Sequence, residues 1–270
     1  MLHAMKSYEV LTVVLVAILA TAGCVHLADT MGKTSEPERI GIIGAMDEEV
    51  SSLKEAMQID RRETVESMEF YIGKLGGQDV AVVQCGMGKV NAGTCALILI
   101  QKYHARAVIN TGVAGSLDNI LDIGDFVVSV DAVEHDFDVS PIGFEKGEIP
   151  YTGKYAFEAD KALRQKAVDA IAKSTVGVKV HEGRVCTGDQ FIHTDEQRTA
   201  ITSVFGGLCC EMEGGAIAQV CYLNNVPFVI IRAISDKADG SSSMDYEEFK
   251  KIAAARSAAA VMYLLEHESP

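Results

Sequence analysis

The chain of 270 residues has no tryptophan, only 5 prolines and few positive charges: 24 Lys and Arg stand against 38 Asp and Glu, a formal charge of −14. An acidic excess of this size leaves no uniform field to attract nucleic acid or an anionic membrane. Charged residues make up 23% and hydrophobic residues 48%, a balance that excludes disorder for most of the chain. The cysteines, at 24, 85, 95, 186, 209, 210 and 221, show no C-x-x-C spacing, which argues against a zinc site. Cys85, Cys95 and Cys221 lie in apolar runs and read as buried thiols acting as small hydrophobes. Residues 39–270 contain no internal repeat and no linker, so one domain is the expected count.

The N-terminus lacks the ~20 apolar residues that a membrane-spanning helix needs. Val10–Ala22 is charge-free for 13 residues, follows Lys6 and ends in small residues, as in a secretory signal peptide. Thr21-Ala22-Gly23-Cys24 resembles a bacterial lipoprotein signal, in which Cys24 is lipidated and becomes the new N-terminus. Ala20-Thr21-Ala22 as an ordinary cleavage site, or an uncleaved anchor, are the competing readings. The expectation is a signal peptide over 1–23, a polar tether over 24–38 and a domain over 39–270, exported and anchored to a membrane facing the periplasm.

From Arg39 onward, short β-branched runs alternate with helical patterns. Strands are expected at 40–44, 80–83, 107–110, 125–133 and 227–234. Helices are expected at 48–57, 90–103, 159–173, 195–204, 213–223 and 244–265. Strands apolar on both faces belong in a sheet covered on both sides. The expected fold is therefore α/β, a three-layer αβα sandwich with a central mixed sheet.

In such sheets active residues collect at the carboxyl ends of strands. Gly44–Glu49 is a strand-to-helix loop of the kind that cradles phosphate, yet it carries three carboxylates in a row. Asp47 and Glu48 read as acids complementing a helix N-terminus, with one acid of the three turned inward as a base the sharper alternative. Cys85–Val90 and Asn110–Ser116 are turns of small residues where backbone could approach a ligand. Glu211 and Glu213 flank Met212 in an apolar context, costly unless they bind something. Asp236 ends the most apolar strand, where desolvation raises a carboxyl pKa. The plainer alternatives are an ion pair of Glu211 and Glu213 with Arg232, and a turn cap at Asp236.

Six ordered stretches resemble the 5′-methylthioadenosine/S-adenosylhomocysteine nucleosidases of the purine nucleoside phosphorylase-like family. They are IGIIGAMDEEV (40–50), GMGKVNA (86–92), NTGVAG (110–115), TGDQFI (187–192), EMEGGAIA (211–218) and VPFVIIRAISDKAD (226–239). The resemblance implies hydrolysis of an N-glycosidic bond, with release of adenine and a 5-thio-substituted ribose, and no cofactor or metal. It also implies an adenine-nucleoside substrate, water as nucleophile and a homodimer. The stretch His135-Asp136-Phe137-Asp138 fits no standard metal-ligand set.

Residue by residue, the resemblance assigns Asp236 as the acid that protonates adenine N7 and Glu49 as the group that activates water. Glu213 would grip the ribose hydroxyls, Met212 would pack on the sugar, and Arg232 would stand near the water and the acids. Phe191 would stack on adenine and the Ile192 backbone would read its edge. Met46 and Met87 would line the pocket, with Val113, Ala114, Gly115, Glu211 and Ser235 also contributing. Ile142 and Pro150, in the loop 135–151, would complete a neighbouring subunit's apolar 5′ site. Many relatives carry Ser where this chain has Val113, which implies altered affinity with activity retained. That missing hydroxyl, with the acids at 47–49, favours water over phosphate.

Overall fold

The structure, a computed structural model, describes residues 36–267. The expected export signal, Cys24 and most of the expected tether lie outside the described residues. Among the described residues no helix is long and apolar enough to cross a membrane.

The fold is built on β1 (Arg39–Gly44), a fully buried strand whose Ile and Gly residues suit the middle of a covered sheet. It pairs in parallel with β4 (Gln78–Gln84) on one side and β5 (Ala105–Ser116) on the other. Beyond β4 lie β3 (Met68–Leu75) and the edge strand β2 (Gln58–Val65), both antiparallel. Beyond β5 comes β10 (Phe228–Asp236), parallel to it, and then β6 (Phe126–Glu134), antiparallel to β10. β8 (Val180–Thr187) and the short β9 (Cys209–Glu211) lead from β6 back to β5, so that end of the sheet closes on itself. β7 (Phe157–Glu158) adds a short pair to β6.

Two helical layers cover the sheet. On one face α2 (Lys89–Tyr103) and α5 (Gly214–Asn224) share a core with Phe70, Val108 and Ile230. On the other, α1 (Asp47–Ala56), α3 (Lys161–Ser174) and α6 (Ser242–Glu266) pack over Ile42, Ile109 and Ile231. α4 (Asp195–Phe205) closes a third small core near Cys186 and Ile192. The alternate assignment of Val108 and Ile109 to opposite cores is the period-2 pleat of a strand buried on both faces. The mixed sheet and two helical layers agree with the expected fold.

Two details correct the expectations. The stretch Asn110–Ser116, read as a loop, is the second half of β5, hydrogen-bonded to β10 up to Gly115. The β2–β3 hairpin, β7, β8 and β9 had no counterpart in the pattern analysis. The edge strand Gln58–Val65 (QIDRRETV) alternates exposed and half-buried positions, so its charges hide the apolar signal that marks inner strands.

Candidate active site

The ring closure of β5, β10, β6, β8 and β9, with β1 and β4 alongside, draws the ends of these strands around one cleft. One wall comes from the β1–α1 turn. Glu49 is buried, and its carboxylate accepts the Ala45 amide at 2.7 Å and the Met46 amide at 3.0 Å through Oε2. These bonds cap the N-terminus of α1, satisfying donors that a helix start leaves free. Oε1 accepts the Val113 amide of β5 at 3.0 Å. This approach requires Gly112, since a Cβ there would stand 2.4 Å from Glu49 Oε1. Burial raises the Glu49 pKa, opposed by Arg232 and the three amides.

The opposite wall is acidic. Glu213 accepts the Gly88 amide at 2.9 Å, and its Oε2 lies 3.9 Å from Arg232 Nη2. Burial and the adjacent Glu211 push the Glu213 pKa up to about 8. Glu211 itself is saturated: Arg232 and Thr187 donate to it, as do the backbone amides of Glu213 at 3.1 Å and Gly214 at 2.7 Å. Arg232 also donates to Asn110 Oδ1 at 2.6 Å. One buried guanidinium thus serves three buried carboxylates, Glu49, Glu211 and Glu213, and the surplus of negative charge favours protonation of the acids.

At the end of β10, Asp236 lies opposite Gly115. Its Oδ1 accepts the Ala238 amide at 2.9 Å and its Oδ2 accepts the Ser235 hydroxyl at 2.9 Å. Gly115 makes room, because a Cβ there would come within 2.9 Å of Asp236 Oδ1. Burial raises the Asp236 pKa and outweighs these donors. A raised pKa favours the protonated form, the state in which a carboxyl can donate a proton.

Of the residues singled out from sequence, Glu49, Asp236, Glu213, Met46, Met87, Val113, Ala114, Gly115, Phe191, Ile192, Glu211, Met212 and Ser235 all line this cleft. Arg232 does not; it lies behind the acids and acts on the cleft through them. Ile142, 73% exposed in a short 3₁₀ turn, and Pro150 also lie off it. Among the described residues no His, Cys, Asp and Glu side chains group as a metal site. Sequence reasoning missed Ala45, Gln190, Cys210 and Tyr246. Tyr246, from the first turns of α6, donates its hydroxyl to Met46 Sδ at 3.0 Å and sets its ring edge-on to Phe191 at 5.4 Å. Its sequence signal was one aromatic on a helix that also carries Phe249 and Tyr263, unremarkable without the packing.

The family model for the phosphorylase superfamily matches residues 39–266. A 5′-methylthioadenosine/S-adenosylhomocysteine nucleosidase of Haemophilus influenzae (strain PittGG) is 44% identical over 230 residues, 84% of this chain and 99% of the relative. The chain belongs to this nucleosidase family of the phosphorylase superfamily. Among solved structures, the nucleosidase of Neisseria meningitidis, in complex with methylthio-immucillin-A, superposes with a TM-score of 0.82 at 36% identity. That alignment covers 86% of this chain and 100% of the other. Futalosine hydrolase of Helicobacter pylori gives a TM-score of 0.81 at 30% identity, over 86% and 98% of the two chains. Within the family the cleft's acids are the part of the molecule that requires a chemical explanation.

Proposed function

We propose that this cleft hydrolyses the N-glycosidic bond of 5′-methylthioadenosine and S-adenosylhomocysteine, releasing adenine and a 5-thio-substituted ribose. Family membership supports the substrate class; the arrangement of acids supports the roles. Asp236, its pKa raised by burial, delivers its proton to adenine N7 as the C–N bond breaks, so the base leaves uncharged. The ribose becomes cationic, as in other glycoside hydrolysis, and the acidic wall of Glu213 and Glu211 faces that charge. Glu213 accepts from the ribose hydroxyls. Glu49, its pKa raised by burial, takes the proton of the attacking water. Phe191 and Tyr246 supply aromatic surface for the base and the alkylthio arm. Arg232 positions the acids without touching substrate.

One observation carries the choice of water over phosphate. Among the described residues no Lys or Arg lines the cleft, and the Arg232 guanidinium behind it is engaged by Glu211 and Asn110. A phosphate dianion would enter a wall of acids with no lining cation to receive it. Purified residues 25–270 are therefore expected to release adenine from methylthioadenosine in phosphate-free buffer. An absolute phosphate requirement would identify a phosphorylase instead. Running S-adenosylhomocysteine, 5′-deoxyadenosine and a futalosine-type nucleoside in the same assay ranks the 5′ substituents.

The homodimer and the lipid anchor belong to the same proposal. Val90, Ile142 and Tyr151 leave large apolar side chains in solvent in the single chain, which suits burial against a second copy. The signal-like Val10–Ala22 and Cys24 support export and lipidation. Sedimentation at the monomer mass would reject the dimer, and palmitate labelling that persists in Cys24→Ala would reject the anchor.

A further inference from the structure

A ring of charged groups behind the cleft connects two of its walls. Lys89 Nζ donates to Glu134 Oε2 at 3.0 Å and to Asp136 Oδ1 at 2.6 Å. The second oxygen of Asp136 accepts the Asp189 amide at 2.8 Å. Asp189 closes the ring, its Oδ1 accepting the Lys89 amide at 2.8 Å. None of these four residues lines the cleft, but their chain neighbours do. Met87 lies two residues before Lys89, and Gln190, Phe191 and Ile192 follow Asp189 directly. The Gly88 amide next to Lys89 is the one that Glu213 accepts.

The backbone is shaped for this contact. Gly88 has φ +95°, and a Cβ there would press to 3.1 Å from Asp189 Oδ1. A Cβ at Gly188 would stand 2.4 Å from His135 Nε2, so the loop entering Asp189 lies directly on the His135 ring. The Lys89 and Asp136 side chains are mostly shielded, at 18% and 19% exposure, and Glu134 is buried. Shielded, charge-assisted bonds of this kind are stronger and less screened than surface pairs. Glu134 and Asp136 are two like charges that repel without Lys89 between them.

We infer that Lys89 is a positioning residue for the nucleoside site: through Asp136 and Asp189 it sets the spacing between the Met87–Gly88 wall and the Gln190–Phe191 wall. The inference rests on the nucleosidase reading. A wall that grips the base is felt by substrate and transition state alike, so its loosening raises KM more than it lowers kcat. A residue that served the fold alone would lower the melting temperature and the active fraction, leaving KM in place.

Two variants test this, Lys89→Met and Asp189→Ala. Asp189 is exposed, so its variant reports even if Lys89→Met does not fold. Each is expected to raise KM for methylthioadenosine about tenfold, with kcat within about threefold of the parent. Because they cut the same ring, the double variant rises no further than the larger single one. Lys89→Arg, which keeps the charge, recovers most of the loss. Calorimetry with free adenine reads the same walls without turnover. Unchanged adenine affinity in Asp189→Ala, or additive effects in the double variant, overturns the inference. A parent enzyme that binds adenine but releases none from any nucleoside sinks the nucleosidase reading instead.

Discussion

Glu63 and Glu213 are both glutamates beside cations, yet their acidities lie at opposite extremes. Glu63, on the edge strand, accepts from Lys102 at 2.8 Å and from Arg61 at 2.7 Å, and these partners pull its pKa down to about 2. Glu213, at the cleft, has Arg232 at 3.9 Å, but burial and Glu211 push its pKa up to about 8. The side chains are 30% and 8% exposed. An ion pair in solvent favours the charged form, whereas one guanidinium shared among three buried carboxylates does not offset their desolvation. The sheet edge therefore carries ordinary surface charge, and the cleft carries protons held ready near neutral pH.

The largest break in that contrast is expected at Asp236. Asp236→Asn removes the proton donor with little change in shape and is expected to lower kcat about a thousandfold. Adenine release at more than a tenth of the parent rate would exclude it as the acid. In the parent, kcat falls as pH rises through the elevated Asp236 pKa, and the residual activity of the variant lacks that alkaline limb.

Glu213→Gln comes next, with about a hundredfold lower kcat/KM from the lost acid that grips the ribose hydroxyls. It also gives a test in stability. The folded parent retains a proton on Glu213 that the unfolded chain releases near 4.5, so stability falls as pH rises from about 4.5 to about 8. In melts across this range the variant should lose less stability than the parent. Equal slopes would mean that Glu213 is ionised throughout.

The smallest effect belongs to Glu63→Gln, expected to cost less than about 1 kcal/mol near neutral pH and to leave adenine release unchanged. Its sign is opposite. A pKa depressed to about 2 gives stability that is present above about 4.5 and lost as pH falls towards 2. A neutral-pH cost exceeding that of Glu213→Gln would reverse the ranking of the two regions.

Much of this was legible from residues alone, for reasons that differ from element to element. Continuous apolar runs such as Phe228–Ile234 marked the inner strands, because a strand buried on both faces admits little else. Helix spacing located six helices to within a few residues at their ends. The β2–β3 hairpin was hidden because an edge strand keeps its charges. Asn110–Ser116 was misread because its small residues resemble a turn. The structure gives the reason: Gly112 and Gly115 are small so that Glu49 and Asp236 can reach β5, and a side chain at either position would occupy their oxygens' place.

The linear order of residues determined the fold class, the family and the short list of acids, since each is written in local pattern and motif. Tertiary structure decided what those acids are. The closure of β5, β10, β6, β8 and β9 brings Glu49, Glu211, Glu213 and Asp236, spread over 188 positions from 49 to 236, around one cleft beside one guanidinium. Desolvation and shared charge are properties of that assembly and of no single stretch of chain, which is why the protonation of Glu213, the rear position of Arg232 and the entry of Tyr246 into the wall emerged only on folding.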